Sequence, residues 1–429
     1  MISYNEALEY IHSISWSFCK PGLERIGELC RALGNPQDKL RFIHVAGTNG
    51  KGSFCSMLSS VLTAAGYKTG LYTSPYIKVF NERMQIDGEN IANETLTEIT
   101  ERVRPIADSM TDKPTEFELI TAIAFLYFAE AGCDVVVLEA GMGGRLDSTN
   151  IINTPALSVI TGIALDHTAY LGDTVEKIAA EKAGIIKRGV PILFGGEDTS
   201  AKEVIEAHAR NLNSEFHLVD RSYLTVKEAK LSGCVFDYRT RQNVKINLLG
   251  LYQPKNAATV LDAIDILRKR GFDISEDAVQ SGLLAARWPA RFEIICKNPL
   301  VIFDGAHNPE GITVATESIA HYFKSKVIAF SGVLKDKDYV FIAGELAKIA
   351  DTAFTITPDS PRALRADEYA SVLSAAGVRA IPCPDIKTAL TSAYCKAKQD
   401  GTPLVCLGSL YTYADVTAAL EEIIKNGGK

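Results

Sequence analysis

The run Gly47-Thr48-Asn49-Gly50-Lys51-Gly52-Ser53 follows a short apolar stretch, Phe42 to Ala46, and precedes Phe54, Met57, Leu58, Val61, Leu62 and Ala65 at helical spacing. A strand that enters a helix through three glycines, one lysine and two hydroxyls reads as a phosphate cradle. That reading commits the chain to an α/β fold. Glycines let the backbone bend around anionic oxygens, and the N–H groups and helix dipole favour the anion. Lys51 can reach the β and γ phosphates of a nucleotide. The spacing departs from G-x-x-x-x-G-K-[ST] twice: position 45 is Val, and Gly52 follows Lys51, so the hydroxyl arrives at Ser53. The plain alternative is a glycine-rich turn without a ligand, and Lys51 with its flanking periodicity weighs against it.

A chain of 429 residues with 47% hydrophobic content can bury ample core, and its length suggests two domains. Its formal charge of −7, from 45 basic against 52 acidic residues, gives no general attraction to nucleic acid or an anionic membrane. Nucleic-acid and membrane partners are therefore not expected. The nine cysteines (19, 30, 55, 133, 234, 296, 383, 395 and 406) are odd in number and never spaced C-x-x-C. They read as reduced thiols, without a disulfide framework or zinc site. Met1 to Glu6 lacks the basic and apolar regions of a signal peptide, and the apolar stretch Ala122 to Ala129 ends at Glu130, short of a membrane span. A cytoplasmic location is expected.

Beyond the loop, apolar runs at Gly70–Thr73, Val135–Leu138, Ala156–Thr161 and Pro191–Phe194 alternate with helical stretches such as Glu118–Ala131 and Val175–Ile186. That alternation predicts a mainly parallel sheet. Residues 215 to 250 read as a small antiparallel addition, and Asn256 to Arg270 as helix. Arg287-Trp288-Pro289-Ala290-Arg291 reads as a hinge. After it, strands at Leu300–Phe303, Val327–Phe330, Ala353–Thr357 and Leu404–Leu407 predict a smaller Rossmann-like unit, although no G-x-G-x-x-G occurs. The expected domains are 1–288 and 289–429.

Several polar residues fall at strand ends, where open α/β sheets bind ligands. Glu139 ends Val135–Leu138 and is a candidate Mg²⁺ ligand, though a solvated strand-end acid is as common. Ala140 to Asn150 is too rich in glycine and polar residues for a mere connector. His167 follows Asp166 at another strand end, where a lone histidine is more often structural than a ligand. Lys182 lies in the helical segment Glu181-Lys182-Ala183-Gly184-Ile185, and its plain reading is a surface lysine with a buried stem.

Taken in order, G-T-N-G-K-G-S, T-S-P-Y-I, E-A-G-M-G-G-R-L-D-S-T-N, L-D-H-x-x-x-L-G-x-T, E-K-A-G-I, Y-Q-x-x-N-A-A, W-P-A-R-F-E and D-G-A-H-N-P-E-G resemble folylpolyglutamate synthase/dihydrofolate synthase, the folate branch of the Mur ligase superfamily. The resemblance spans residues 22 to 413. The resemblance implies ATP-dependent joining of L-glutamate to the carboxylate of a folate, or of dihydropteroate, through an acyl phosphate. It implies a monomer and two Mg²⁺ sites. Gly47 to Ser53 would hold ATP, with Ser53, Ser74, Glu139, His167 and a carboxylated Lys182 at the metal. Asn256 would contact adenine and Arg291 the phosphates, with Asp304 and His307 on the nucleotide side. Lys337 and Ser409 would hold the incoming glutamate, and Leu23, Phe117, Arg145 and Asp147 the folate. Tyr76 and Tyr252 replace histidines that many members carry, and Met142 a common leucine. A P-loop nucleotide switch is disfavoured because no N-K-x-D occurs. Within the superfamily, the alternative is a ligase acting on a peptidoglycan precursor, against which Glu118 and the G-G-R-L-D-S-T-N stretch stand by resemblance.

Overall fold

The computed structural model describes residues 2–14 and 22–426, so Cys19 and the Gly427–Lys429 tail lie outside the described residues. The chain forms two units, one of residues 1–224 with 255–286, the other of residues 225–254 with 287–429.

The first unit is built on eight strands: β1 (Phe42–Ala46), β2 (Thr69–Tyr72), β3 (Met84–Ile86), β4 (Glu89–Asn90), β5 (Val135–Glu139), β6 (Leu157–Ile160), β7 (Ile192–Phe194) and β8 (Phe216–Leu218). Their order is β4-β3-β2-β5-β1-β6-β7-β8. All pairings are parallel except β2–β3 and β3–β4. β1, β5 and β6 are buried along their whole length, as expected of strands covered by helices on both faces. One core gathers Phe42, Tyr72, Phe125, Phe128 and Leu138, and another Ile160, Ile178, Ile192, Phe194 and Ile205. The helix Glu116–Glu130 is apolar nearly all round and starts at Thr115, whose hydroxyl accepts the Glu118 N–H while the Glu118 side chain accepts the Thr115 N–H. β1 is central, with β5 on one side and β6 on the other, which makes its C-terminal end a crevice at a topological switch point.

The second unit carries the six-stranded sheet of β12 (Glu293–Lys297), β13 (Leu300–Asp304), β14 (Val327–Ser331), β15 (Ala350–Thr355), β16 (Arg379–Pro382) and β17 (Leu404–Leu407) in the order β12-β13-β17-β14-β15-β16. Only β12 runs antiparallel to its neighbour. Of residues 215 to 250, expected to form an antiparallel addition, β8 instead joins the first sheet parallel to β7, and the separate ribbon is β9 (Leu224–Lys230), β10 (Gly233–Tyr238) and β11 (Arg241–Ile246), with β10 and β11 antiparallel. Nearly all of it groups with this second unit, whereas a boundary at 288/289 sets it with the first. β12, β16 and the β3–β4 hairpin were not anticipated; they are short strands at the edges of their sheets. Among the described residues no helix is long and apolar enough to cross a membrane.

Candidate active site

β1 delivers the chain to Gly47 and the helix Lys51–Ala64 takes it away, with Gly50 as its N-cap. Gly50 has φ +83°, and a Cβ there would stand 2.8 Å from Asn256 Oδ1, so conformation and space both require glycine. At Gly47 (φ +151°) a Cβ would collide with Thr161 Oγ1. The loop is fastened to the segment that follows β6. Thr48 N–H donates to Gly162 O at 2.8 Å, Ala164 N–H donates to Thr48 Oγ1 at 3.1 Å, and Thr161 Oγ1 donates to Asn49 O at 2.7 Å. The cradle is thereby held in shape by its own protein contacts.

Two lysines converge on this loop. Lys51 Nζ donates to Gly47 O at 3.1 Å and Thr48 O at 3.3 Å, and lies 3.9 Å from Glu139 Oε1. Parallel register explains the last contact, since Val45 pairs with Glu139 and brings the end of β5 beside the loop. Ser74 N–H reaches the same carboxylate at 3.4 Å. Lys182, in the helix Val175–Ala183, is 4% exposed and donates to Gly47 O at 2.8 Å. Burial, and then the Lys51 charge, hold its amine down to about 7 against the pull of Asp166 and Asp147. The surface-lysine alternative is therefore excluded. Ser53 is also buried, in the first turn of the loop helix.

His167 is exposed, with φ +50°, at the cap of the short helix Thr168–Leu171, and its N–H donates to Asp166 Oδ1 at 2.9 Å. Among the described residues no three His, Cys, Asp or Glu side chains converge to hold a metal ion. Such a set counts neither hydroxyls nor lysine, which make up three of the five ligands the resemblance implies.

The glycine-rich stretch after β5 closes around Asp147. One carboxylate oxygen accepts the Met142 N–H at 2.8 Å, the other the Thr149 N–H at 3.0 Å and the Thr149 hydroxyl at 2.5 Å. Burial raises the Asp147 carboxyl above its ordinary value. Phe117 packs so closely that a Cβ on Gly141 would sit 2.6 Å from its ring, and its centroid lies 6.2 Å from that of Tyr72. Arg145 is exposed and paired with Glu181 at 2.9 Å. Leu23 caps the helix Glu24–Ala32 and packs on the first core.

Sequence reasoning missed His44. It is fully buried in β1, and Nε2 lies 2.8 Å from Thr149 Oγ1. That hydroxyl has one proton, which goes to Asp147, so the imidazole donates from Nε2. Nδ1 then has no hydrogen-bond partner, and burial pushes the ring down to about 3, keeping it neutral. A polar residue inside the apolar run Phe42-Ile43-His44-Val45-Ala46 was the available signal. Thr149→Val strands a buried N–H and removes one donor from Asp147, so we expect a loss of about 1–3 kcal/mol in urea unfolding. A change near zero would mean that the His44–Thr149–Asp147 chain holds nothing in place.

In the second unit Asp304 ends β13, buried, and accepts the Phe292 N–H at 3.0 Å, the Ala306 N–H at 2.8 Å and the Tyr252 hydroxyl at 2.7 Å. Burial raises its carboxyl, opposed by the Arg291 charge, and drives the Tyr252 phenol well above its usual range. Ala290 and Phe292 both have positive φ, so Asp304 holds a strained turn around Arg291. Tyr252→Phe removes one of these donors, and we expect about 1–2 kcal/mol of destabilisation by thermal melting. His307 Nδ1 donates to Gly305 O at 2.8 Å. Asn308 caps the helix Pro309–Tyr322, accepting the Gly311 N–H, which accounts for the last residues of D-G-A-H-N-P-E-G. Lys337 is half-buried, and Ser409 is buried with its hydroxyl accepting the Tyr411 N–H at 3.3 Å.

Two family models match the chain, the Mur ligase middle domain over residues 45–264 and the Mur ligase glutamate ligase domain over 290–410. A dihydrofolate synthase/folylpolyglutamate synthase of Bacillus subtilis is 38% identical over 98% of this chain and 99% of its own. A solved FPGS–AMPPCP–folate complex aligns with TM-score 0.86 at 35% identity, covering 98% of this chain and 100% of that one. Escherichia coli FolC in complex with DHPP and ADP aligns with TM-score 0.86 at 29% identity, covering 100% and 99%. With both domains matched in order and a relative similar from end to end, the chain belongs to the folylpolyglutamate synthase/dihydrofolate synthase family of Mur ligases.

Proposed function

We infer that the chain joins L-glutamate to the carboxylate of a folate with ATP as the driving reactant. The observation that carries this reading is the convergence of Lys51, Lys182 and Glu139 on the glycine loop. The substrate carboxylate attacks the γ-phosphorus, the bond to the ADP oxygen breaks, and an acyl phosphate forms. The glutamate amine then attacks the acyl carbon, phosphate leaves, and the amine's proton passes to solvent. Such chemistry depends on positioning and neutralised charge rather than on a nucleophilic side chain, which suits this set of residues.

Gly47 to Ser53 bind the triphosphate in this reading, with Asn256 at adenine and Arg291 on the phosphates. His307 faces the nucleotide, while Asp304 serves by holding the Arg291 turn. Ser53, Ser74, Glu139, His167 and Lys182 fit Mg²⁺ at two sites, with Lys182 carboxylated. Mg²⁺, when bound, would offset charge on the transferring phosphoryl group. A buried amine near pH 7 is partly neutral, as reaction with CO₂ requires, and its carbamate would supply anionic oxygens. Leu23, Phe117, Arg145 and Asp147 take the folate, and Lys337 and Ser409 the incoming glutamate. The division of labour falls near 288/289, ATP-binding before and glutamate ligation after. We place the enzyme in the cytoplasm as a monomer, a location supported by eight described cysteines that are all unbonded.

ADP release from purified protein tests this. It should require L-glutamate together with tetrahydrofolate or dihydropteroate. Release driven by a peptidoglycan precursor instead would overturn it.

A further inference from the structure

Arg83 is a cation to which the reaction above gives no task. It ends the short helix Phe80–Arg83, and its guanidinium lies 5.2 Å from the Tyr76 ring centroid and 5.7 Å from that of Phe80. Nε and Nη1 are both buried without a hydrogen-bond partner. The nearest acid in sequence cannot serve, because Glu82 is spent on the backbone N–H groups of Ile77, Lys78 and Val79 at 2.8 to 3.2 Å. Gln85 donates its amide to Glu82 O, and Asn81 donates to Ile91 O and Asn93. None of these contacts reaches Nε or Nη1 of Arg83. Buried polar groups are ordinarily satisfied, and a planar fork of N–H donors matches a carboxylate.

Its position is on the substrate side. Thr73 N–H donates to Arg83 O at 3.1 Å, next to Ser74, whose own N–H meets Glu139. The Tyr72 hydroxyl feels the charge of Arg83 and, with opposite sign, those of Asp147 and Glu139.

We propose that Arg83 is the receptor for a substrate carboxylate that does not react, turning one edge of its guanidinium, Nε with Nη2 or Nη1 with Nη2, to the carboxylate beside the rings of Tyr76 and Phe80. This rests on the ligase reading, which supplies two sources of such a group: the α-carboxylate of a glutamate already attached to the folate, and a carboxylate of the incoming L-glutamate. Dihydropteroate carries only its reacting carboxylate, so it separates them.

KM for tetrahydrofolate, dihydropteroate, L-glutamate and ATP should be measured in wild type, Arg83→Gln and Arg83→Lys, with melting curves. Arg83→Gln should raise KM about tenfold or more for one carboxylate substrate while leaving KM for ATP within about twofold. Arg83→Lys, which keeps the charge but loses the fork, should fall between. A rise for tetrahydrofolate but not dihydropteroate assigns the acceptor's carboxylate; a rise for L-glutamate with either acceptor assigns the incoming one. Unchanged KM values, or equal rises for all four substrates, overturn the proposal. Calorimetric titration of tetrahydrofolate and L-glutamate into each protein tests the site without turnover, so failure of the ligase reading stays distinct. Arg83→Lys keeps the test open if Arg83→Gln does not fold, and identical binding in wild type and Arg83→Lys would count against the fork.

Discussion

Lys182→Ala should be inactive, with glutamate-dependent ADP release lower by at least about a hundredfold, the scale seen when one electrostatic element of a transition state is removed. The amine is buried against the Gly47 carbonyl, and burial keeps part of it neutral near pH 7. Neutral amine can take up CO₂, and the resulting anion would sit at the Gly47 loop. Short carboxylic acids added to the alanine variant should restore part of the activity by supplying oxygens in the vacated space, whereas amines should not. Full activity in Lys182→Ala would end the carbamate assignment. The unmodified lysine also makes a stability prediction. Its proton is held more tightly in the unfolded chain than in the folded one, so the cost of burying it is complete below about 7. That cost disappears as pH rises from about 7 toward 10.5, and stability increases across that window. In CO₂-free buffer, urea unfolding of Lys182→Ala should lack this rise, and an identical slope in both proteins would refute the burial argument.

Lys51→Ala should abolish turnover while leaving the melting temperature within a few degrees of wild type. The side chain rests on the carbonyls of Gly47 and Thr48 and packs no core, so its loss removes charge from the phosphate site and little else. The fold of the loop does not need it, since Thr48, Thr161, Gly162 and Ala164 hold the cradle from the β6 side. Near-normal ADP release in the variant would remove the cradle assignment. A large drop in melting temperature would instead make Lys51 a structural residue, with its 3.9 Å approach to Glu139 as the reason.

The sequence by itself determined the parts whose signal is local. A buried parallel strand reads as a continuous apolar run, so β1, β2, β5, β6 and β7 were legible, as were β13, β14, β15 and β17. The glycine loop between β1 and its helix was legible because only glycine tolerates the backbone at Gly47 and Gly50, and the helix after it is periodic. Glu139 was legible as a strand-end acid. Tertiary structure decided everything that depends on what lies across the sheet. Lys182 reads locally as a solvated lysine, and only the packing of Val175–Ala183 onto the Gly47 loop makes it a buried amine with an altered charge. Asp304 is placed on the nucleotide side by resemblance alone, and only the fold shows that it also accepts donors from Tyr252, Phe292 and Ala306 around the Arg291 turn. His44 meets Thr149 across 105 positions of chain, and Arg83 reveals its missing partner only once Glu82 is seen to be occupied. The ribbon β9–β11 was read as antiparallel from its composition, but the unit to which it belongs is set by contacts from distant residues. Spacing encodes a backbone's period, whereas burial and charge state depend on neighbours that only the folded chain brings within a few ångströms.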